Sequence, residues 1–247
     1  MKKIISIISL LVLPFLMMAQ ETIFEEARTV YKRDKVFGGY VHTSGWGLNY
    51  RSSIYTSGFS KRSYEIEFTT IKHPKEIKTF SSILDNSNGY FYGKMNYLLA
   101  PRFSVGTHRT FISKQSVKGV EIAYVLHFGI TTAYAKPIYL EVIIIDEENF
   151  PKTEFQRYDP DKHDRGDIVG KASFFYGFLK GRFYPGAHIK TALNFESSRQ
   201  ANRINAVEVG ATLDAFLQNV PIMAETPNQQ FFLNFYVGIN FGSKKTE

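Results

Sequence analysis

Apolar and polar residues alternate along most of the chain, and the alternation is clearest near its end. Between Gln230 and Gly242 one parity is apolar throughout, whereas the other carries Asn234, Gly238 and Asn240. The apolar parity holds Phe231, Leu233, Phe235, Val237, Ile239 and Phe241. Successive side chains of a β-strand point to opposite faces, so this segment is expected to be a strand with one continuous apolar face.

The same alternation predicts an all-β chain of about eight antiparallel strands within residues 36–242. The expected strands cover about 36–54, 59–72, 89–106, 118–135, 138–146, 186–197, 203–217 and 230–242. In the first of them we expect Gly45, Gly47, Asn49 and Arg51 to share the inner face. Segment 138–146 is almost uniformly apolar and is the least distinct, and 147–182 reads as one long loop.

Charged side chains of both signs fall on the parity opposite the apolar rows. We assign them to an inner polar network made of Arg51, Glu65, Glu67, Lys94, Arg102, Glu121, Glu141, Lys190, Glu196, Glu208 and Asp214. A membrane barrel has this arrangement, with its apolar face outside. A soluble barrel or sandwich reverses the sides and remains the alternative. Because an eight-stranded membrane barrel has room only for side chains inside, the network is expected to fill it and to have a structural role.

The first residues favour the membrane alternative. Lys2 and Lys3 precede an apolar run from Ile4 to Met18, and Ala19 then leads into a polar segment. This is the pattern of a secretory signal peptide, so residues 1–19 are expected to be removed near Ala19. Residues 20–35 are then a periplasmic lead-in segment, 36–242 the barrel domain, and 243–247 a C-terminal tail.

Composition supports an integral β-barrel. Aromatic residues make up 15% of the chain, with 22 Phe and 15 Tyr, which suits the aromatic girdles of a membrane barrel. After the signal segment no apolar stretch is long enough for a membrane helix, so any membrane span must be made of strands. The Ala19-Gln20 junction and the closing strand from Phe231 to Phe241 resemble the small outer-membrane β-barrel families common in Bacteroidota. The resemblance covers about residues 36–242 and implies a location in the outer membrane of a Gram-negative cell. It does not imply any particular activity. The residues after Phe241 depart from the usual terminal aromatic.

Several classes of function are disfavoured. The chain has no Cys, which excludes disulfides and thiol catalysis. Loss of Lys2 and Lys3 would lower the formal net charge from +7 to +5, and the remaining charges are dispersed, so no nucleic-acid partner is expected. We find no phosphate-binding glycine loop and no GxSxG, and no cofactor is expected.

Two short motifs carry possible chemistry. His42 and Ser44 resemble the His-x-Ser of outer-membrane lipid A deacylases, and on the expected face assignment both would point toward lipid. Gly45 stands where that family has Asn, and no carboxylate of the right parity lies nearby to orient the histidine. In the long loop, Asp159, Asp161, His163 and Asp164 offer ligands for Ca²⁺. The EF-hand positions six and twelve hold Asp164 and Gly170, which does not match, so a solvated turn is the expected structure.

The sequence therefore predicts a non-enzymatic outer-membrane barrel with a structural or accessory role, associated with assembly or secretion. Its expected partners are outer-membrane lipids and other envelope proteins bound through loop 147–182. A narrow channel for small solutes is the alternative, and a lipid-modifying enzyme is a more distant one.

Overall fold

The computed structural model describes residues 31–81, 88–113, 119–145, 150–197 and 202–246. The expected signal peptide and the greater part of the lead-in segment lie outside the described residues. Among those that are described, no helix is long and apolar enough to cross a membrane.

Strands dominate the described chain. In chain order they are β1 (Arg33–His42), β2 (Gly45–Tyr55), β3 (Ser60–Ile71), β4 (Lys78–Thr79), β5 (Tyr90–Phe91), β6 (Asn96–Ile112), β7 (Glu121–Pro137), β8 (Tyr139–Ile145), β9 (Pro151–Arg157), β10 (Ile168–Lys171), β11 (Arg182–Glu196), β12 (Arg203–Val220) and β13 (Gln229–Lys245). A single turn of 3-10 helix, Phe178–Lys180, precedes β11.

Eight of these strands close into an antiparallel barrel in the order β1-β13-β12-β11-β7-β6-β3-β2. This confirms the expected fold class and strand number. Stepping from Phe37 through its successive cross-strand partners leads around the barrel to Phe231, whereas the direct partner of Phe37 on β13 is Phe241. The register is therefore displaced by ten residues, from Phe241 to Phe231, in one circuit. Such a stagger requires strands tilted by about 35–45° to the barrel axis.

The identity of two of the expected strands is corrected. Residues 36–54 form two strands, because Thr43 and Ser44 make a two-residue turn between β1 and β2. Segment 138–146 contains β8, which lies outside the barrel in a three-stranded sheet of order β10-β8-β9. One barrel strand was missed and one added, so the count of eight was unchanged.

The expected boundaries also change. Residues 33–35, assigned to the lead-in segment, begin β1, and residues 243–245, assigned to the tail, complete β13. The long loop 147–182 contains β9, β10 and the 3-10 turn. The sheet formed by β8, β9 and β10 packs around a core of Tyr90, Ile138, Leu140, Val142, Tyr158 and Ile168.

The barrel has a polar interior and an apolar exterior. On β13, Phe231, Leu233 and Phe235 are each about 60% exposed, whereas Asn234 and Asn240 on the opposite face are nearly fully buried. At the end of the barrel away from the chain termini, the interior changes character. An apolar cluster fills it there, made of Ile71, Leu98, Ala100, Ala133, Ala135, Tyr184, Phe216, Val220, Ile222, Met223 and Phe232.

The two ends of the barrel differ in their connections. The termini share one end with the connections 56–59, 113–120 and 197–202. The other end carries the turn 43–44, the connection 221–228 and two long connections, 72–95 and 138–181. We call these the terminal end and the loop end.

Candidate functional site

A network of buried ion pairs crosses the middle of the barrel, and Lys190 of β11 lies at its centre. The Nζ atom of Lys190 lies 2.8 Å from Glu67 Oε1, 3.1 Å from Glu65 Oε1 and 3.2 Å from Glu208 Oε1. The ring of Tyr236 lies beneath the ammonium group, at 5.1 Å from its centroid. These carboxylates come from β3 and β12, so one lysine links three strands.

Arg51 of β2 joins two of the same carboxylates. Its guanidinium donates to Glu65 Oε1 at 2.9 Å and, with both terminal nitrogens, to Glu208 at 2.8 and 3.1 Å. Each of the three side chains is at most 2% exposed. An arginine that bridges two carboxylates in this way satisfies several of their lone pairs at once, which a buried ion pair requires.

A second guanidinium, that of Arg102 on β6, extends the network toward the loop end. Its Nε donates to Asp214 Oδ1 at 2.9 Å, and Nη2 donates to Asp214 Oδ2 at 2.5 Å. A longer contact of 3.4 Å joins it to Glu67, and another of the same length joins it to the hydroxyl of Tyr40. The paired contact with Asp214 is the bidentate geometry that favours arginine over lysine.

Three further side chains, those of Tyr236, Asn49 and His127, contact the carboxylates of the network. The hydroxyl of Tyr236 donates to Glu208 at 2.7 Å, and the amide of Asn49 donates to Glu65 at 3.1 Å. The ring of His127 places Nδ1 3.0 Å from Glu65 and Nε2 2.8 Å from the hydroxyl of Ser63.

The network thus combines three cations with four carboxylates within the described part of the barrel. Its cations are Arg51, Arg102 and Lys190, and its carboxylates are Glu65, Glu67, Glu208 and Asp214, with His127 beside them.

The structure brings together seven of the eleven side chains assigned to the inner network from sequence. They are Arg51, Glu65, Glu67, Arg102, Lys190, Glu208 and Asp214. Glu196 is buried but lies at the terminal end, where it pairs with Lys244 at 2.8 Å. Glu121 is the first residue of β7, half-exposed, and accepts a hydrogen bond from Thr110.

The assignments of Lys94 and Glu141 to the barrel interior are wrong. Glu141 is on β8, which is not a barrel strand. Lys94 belongs to the long connection 72–95 and forms an ion pair with Glu76 there. Burial lowers the pKa of Lys94, and the bond to Glu76 opposes that shift. The alternation correctly marked Lys94 and Glu141 as polar positions. Alternation alone does not show whether a segment belongs to the barrel or to a connection or sheet beside it.

Sequence reasoning also missed members of the network. His127 shares the inner parity of β7 with the assigned Glu121, and Tyr236 lies on the parity of β13 opposite its apolar row, so the alternation was the available signal for both. Tyr40 was missed because residues 36–54 were treated as one strand whose inner face carries Gly45, Gly47, Asn49 and Arg51, which puts Tyr40 on the other face. In the structure the inner parity changes from even on β1 to odd on β2, across the turn at Thr43 and Ser44.

Side chains occupy the interior at three levels along its length. At the terminal end Lys61 pairs with Asp34 at 2.6 Å, next come the ion pairs around Lys190, and the apolar cluster follows at the loop end. Charged groups packed in this way hold one another and the surrounding strands in place. The arrangement is that of a plug, and it leaves the carboxylates engaged with cations of the chain itself.

The His42-x-Ser44 motif does not face outward as expected. His42 lies on the inner parity of β1, and its Nε2 is 2.9 Å from the hydroxyl of Thr69. Its Nδ1 accepts a hydrogen bond from the backbone N–H of Ser44 at 3.3 Å, not from the serine hydroxyl. The imidazole therefore fixes the turn between β1 and β2, and the geometry does not couple it to Ser44 as a base to a nucleophile.

The Asp-rich segment of the expected long loop is a turn held by His163. Its Nδ1 accepts from the backbone N–H of Asp159 at 3.0 Å, and its Nε2 lies 3.1 Å from Gln156. Burial raises the pKa of the adjacent Tyr158 to about 12. Among the described residues, no three His, Asp or Glu side chains are gathered in a way that would hold a metal ion.

Known proteins do not assign this chain to a family. No family model matches the chain, and no curated protein matches it. Neisserial surface protein A is similar to it with a TM-score of 0.40 and 7% identity, over 89% of this chain and 99% of that one. The attachment invasion locus protein Ail of Yersinia pestis gives 0.38 and 9%, over 87% and 99%. A major outer membrane protein of Thermus thermophilus gives 0.44 and 10%, over 86% and 99%. TM-scores below 0.5 carry no weight on function.

Proposed function

We propose that the protein is an integral outer-membrane β-barrel with a structural or accessory role, of the small type common in Bacteroidota. The observation that carries this proposal is the inverted placement of charge and apolar surface. Every Asp and Glu of the eight barrel strands lies on the inner parity, whereas large apolar side chains occupy the outer face. A soluble barrel has the opposite arrangement.

The outer face is too apolar for water. Phe37, Ile66 and Phe103 on the outer wall are 57%, 56% and 47% exposed, and similar residues continue around the wall to Phe241. Soluble monomers rarely expose contiguous apolar patches above a few hundred Å². A closed barrel leaves no unpaired strand edge in hydrocarbon, so its backbone is compatible with the bilayer core.

Membrane insertion is tested by the location and solubility of the full chain. We expect the protein to fractionate with the outer membrane, to require detergent for extraction, and to migrate faster on gels before heating than after it. A detergent-free monomer in buffer with the same strand content would contradict the proposal, because the aromatic outer face would then be in water.

The plugged interior distinguishes a structural role from a solute channel. Reconstitution into planar bilayers is expected to give no stable open current, since ion pairs and the apolar cluster occupy the lumen. Sustained single-channel conductance of the intact protein would overturn the structural role in favour of the channel.

We infer that the protein binds an envelope partner at the loop end. The binding surface is the sheet β8–β10 together with the adjoining segment 174–180. Phe175 and Leu179 in this segment are 79% and 94% exposed. Exchange of these two residues for Ser is expected to abolish co-purification of a specific envelope protein from native membranes. The matched control, Lys72→Ser with Lys75→Ser, alters two exposed residues of the connection 72–95, outside both that sheet and that segment, and should retain the partner. Equal recovery with both variants would remove this surface from the proposal.

A further inference from the structure

Exposed basic side chains on the outer wall are confined to the terminal end of the described barrel. Six residues form this set, which we call the basic arc: Arg33, Lys35, Arg62, Arg109, Arg203 and Lys245. All six are exposed and lie on the outward parity of their strands. No Asp or Glu of the eight barrel strands lies on that parity, so the arc has one sign of charge.

The basic arc is continuous along one side of the barrel. It covers β12, β13, β1, β3 and β6, which follow one another in the closed sheet except for β2 between β1 and β3. Arg203 is the partner of Ser243, and Lys245 is the partner of Arg33. Ile54 of β2 lies between Arg33 and Arg62 and pairs with both. The remaining strands, β7 and β11, carry Ile122 and Phe195 near the same end.

The basic residues lie at the edge of the apolar rows, with at most one polar residue between them on the outward parity. On β1 the outward positions read Arg33, Lys35, Phe37, and on β3 Arg62 is separated from Ile66 only by Tyr64. The alkyl stems of lysine and arginine can lie along such apolar surface while the charged groups reach the polar boundary of a membrane. The arc therefore marks the level at which hydrocarbon gives way to lipid headgroups.

The seam between β13 and β1 places two cations of the arc side by side. Arg33 is the direct cross-strand partner of Lys245, and like charges placed directly opposite are destabilising. The nearby acids Asp34 and Glu196 face inward, where they pair with Lys61 and Lys244. A headgroup phosphate at the membrane boundary would relieve the repulsion between the two outward cations.

We propose that the basic arc binds the phosphates of anionic phospholipids in the leaflet at the terminal end. This rests on the membrane insertion proposed above, and it assigns that leaflet from charge. Short turns face the periplasm in barrels of this kind, so the leaflet is the periplasmic one. The arc then fixes the depth of the barrel and gathers anionic lipid along the β12-to-β6 side.

The test compares lipid selectivity in reconstituted full-length protein. The probe is spin-labelled phosphatidylglycerol against spin-labelled phosphatidylcholine, each as a trace component of phosphatidylcholine vesicles. We expect roughly fivefold preferential association of phosphatidylglycerol, decreasing as salt is raised. The variant Arg33→Gln, Lys35→Gln, Arg62→Gln, Lys245→Gln should lose most of that preference.

A matched control removes the same charge at the loop end: Lys75→Gln, Lys152→Gln, Arg157→Gln, Lys171→Gln. It should keep the preference, because its side chains lie away from the arc. Equal selectivity in the arc variant and the wild type would overturn the inference, as would an equal loss in the control. The inference would also be overturned if the arc variant kept its preference for phosphatidylglycerol and lost only a preference for spin-labelled lipid A. That outcome would assign the basic arc to lipid A and not to anionic phospholipids. Failure of the wild type to insert into vesicles would instead count against the proposed function.

Discussion

At the scale of single residues, Lys190 contacts three carboxylates at the centre of the barrel. Because it touches Glu65, Glu67 and Glu208, its removal would leave them without enough positive charge in a site that water does not reach. We expect Lys190→Met to lower the free energy of unfolding by about 3–5 kcal/mol. Guanidinium unfolding of the protein in phospholipid vesicles measures this difference.

The control for that substitution restores the net charge of the wild-type network. Adding Glu67→Gln to Lys190→Met removes one of the unpaired carboxylates and should recover part of the lost stability. If Lys190→Met alone cost less than about 1 kcal/mol, as an exposed ion pair does, the network would not have the energetic role assigned to it.

Gly38 and Gly39 offer a second test at this scale, because they are adjacent on β1 and face opposite sides. A Cβ at Gly38 would overlap Asn240 Oδ1 and would lie 2.7 Å from the backbone oxygen of Ile239. At Gly39 its nearest contact would be Leu48, at an ordinary 3.5 Å. Gly38→Ala is expected to destabilise the barrel by about 1–3 kcal/mol through overpacking.

Gly39→Ala is the matched control and should be neutral or slightly stabilising, since alanine restricts the unfolded chain more than glycine does. Both variants are compared by the same unfolding measurement. Equal effects at the two positions would show that the inner face at β1 is looser than its contacts indicate.

At the scale of elements, alternation predicted most of the strands but not how they are joined. The closing strand and the strands around Glu65 and Glu208 were placed correctly because each shows one parity from end to end. The turn at Thr43 and Ser44 was missed because it is only two residues long and interrupts no apolar run. The change of inner parity between Tyr40 and Asn49 was the signal that it left in the sequence.

The site could be predicted only in part for a related reason. Parity indicates that Arg51 and Glu208 face the interior, but they are far apart in the chain and come together only through the register of the intervening strands. The almost uniformly apolar β8 was placed in the barrel wall because nothing in its composition distinguishes a wall strand from one packed in a separate sheet. Its missing alternation was the physical reason to doubt that placement, since a lumen-facing side needs polar residues.

The sheet outside the barrel is expected to unfold independently of it. Leu140 on β8 is 1% exposed and belongs to the core that the sheet shares with Tyr90 and Tyr158. Leu140→Ala should cost about 2–5 kcal/mol by leaving a cavity in that core. Limited proteolysis is expected to cut faster within residues 139–171 while the barrel keeps its gel mobility before heating.

Ile145, which is 73% exposed on the same strand, provides the matched control for that change. Ile145→Ala should leave the rate of cleavage unaltered. Loss of the barrel itself on Leu140→Ala would contradict the independence of the two sheets.

At the scale of the whole molecule, unequal connections at the two ends predict an orientation. Longer loops face the outside of the cell in barrels of this type, and short turns face the periplasm. A peptide epitope inserted between Asp161 and Lys162 is therefore expected to be detected by antibody on intact cells. The same epitope inserted at Gly58, between β2 and β3, should be detected only after the outer membrane is permeabilised.

Both insertions lie in exposed connections, so both proteins should reach the membrane in similar amounts, which immunoblotting of membrane fractions checks. Detection of the Gly58 epitope on intact cells, with the Asp161 epitope hidden, would reverse the orientation. The leaflet assigned to the basic arc would change with it.

The pairing of β1 with β13 has a consequence for how the molecule is made. Val36 and Val41 lie opposite Gly242 and Val237. The first barrel strand, β1, therefore pairs on one side with the last barrel strand, β13. Until that strand is present, a partly folded wall has two open edges that invite aggregation. On the outer-membrane location proposed above, the whole polypeptide would have to stay unfolded until β13 is available, and a premature stop anywhere before β13 is expected to yield a substrate for proteases, not a smaller barrel.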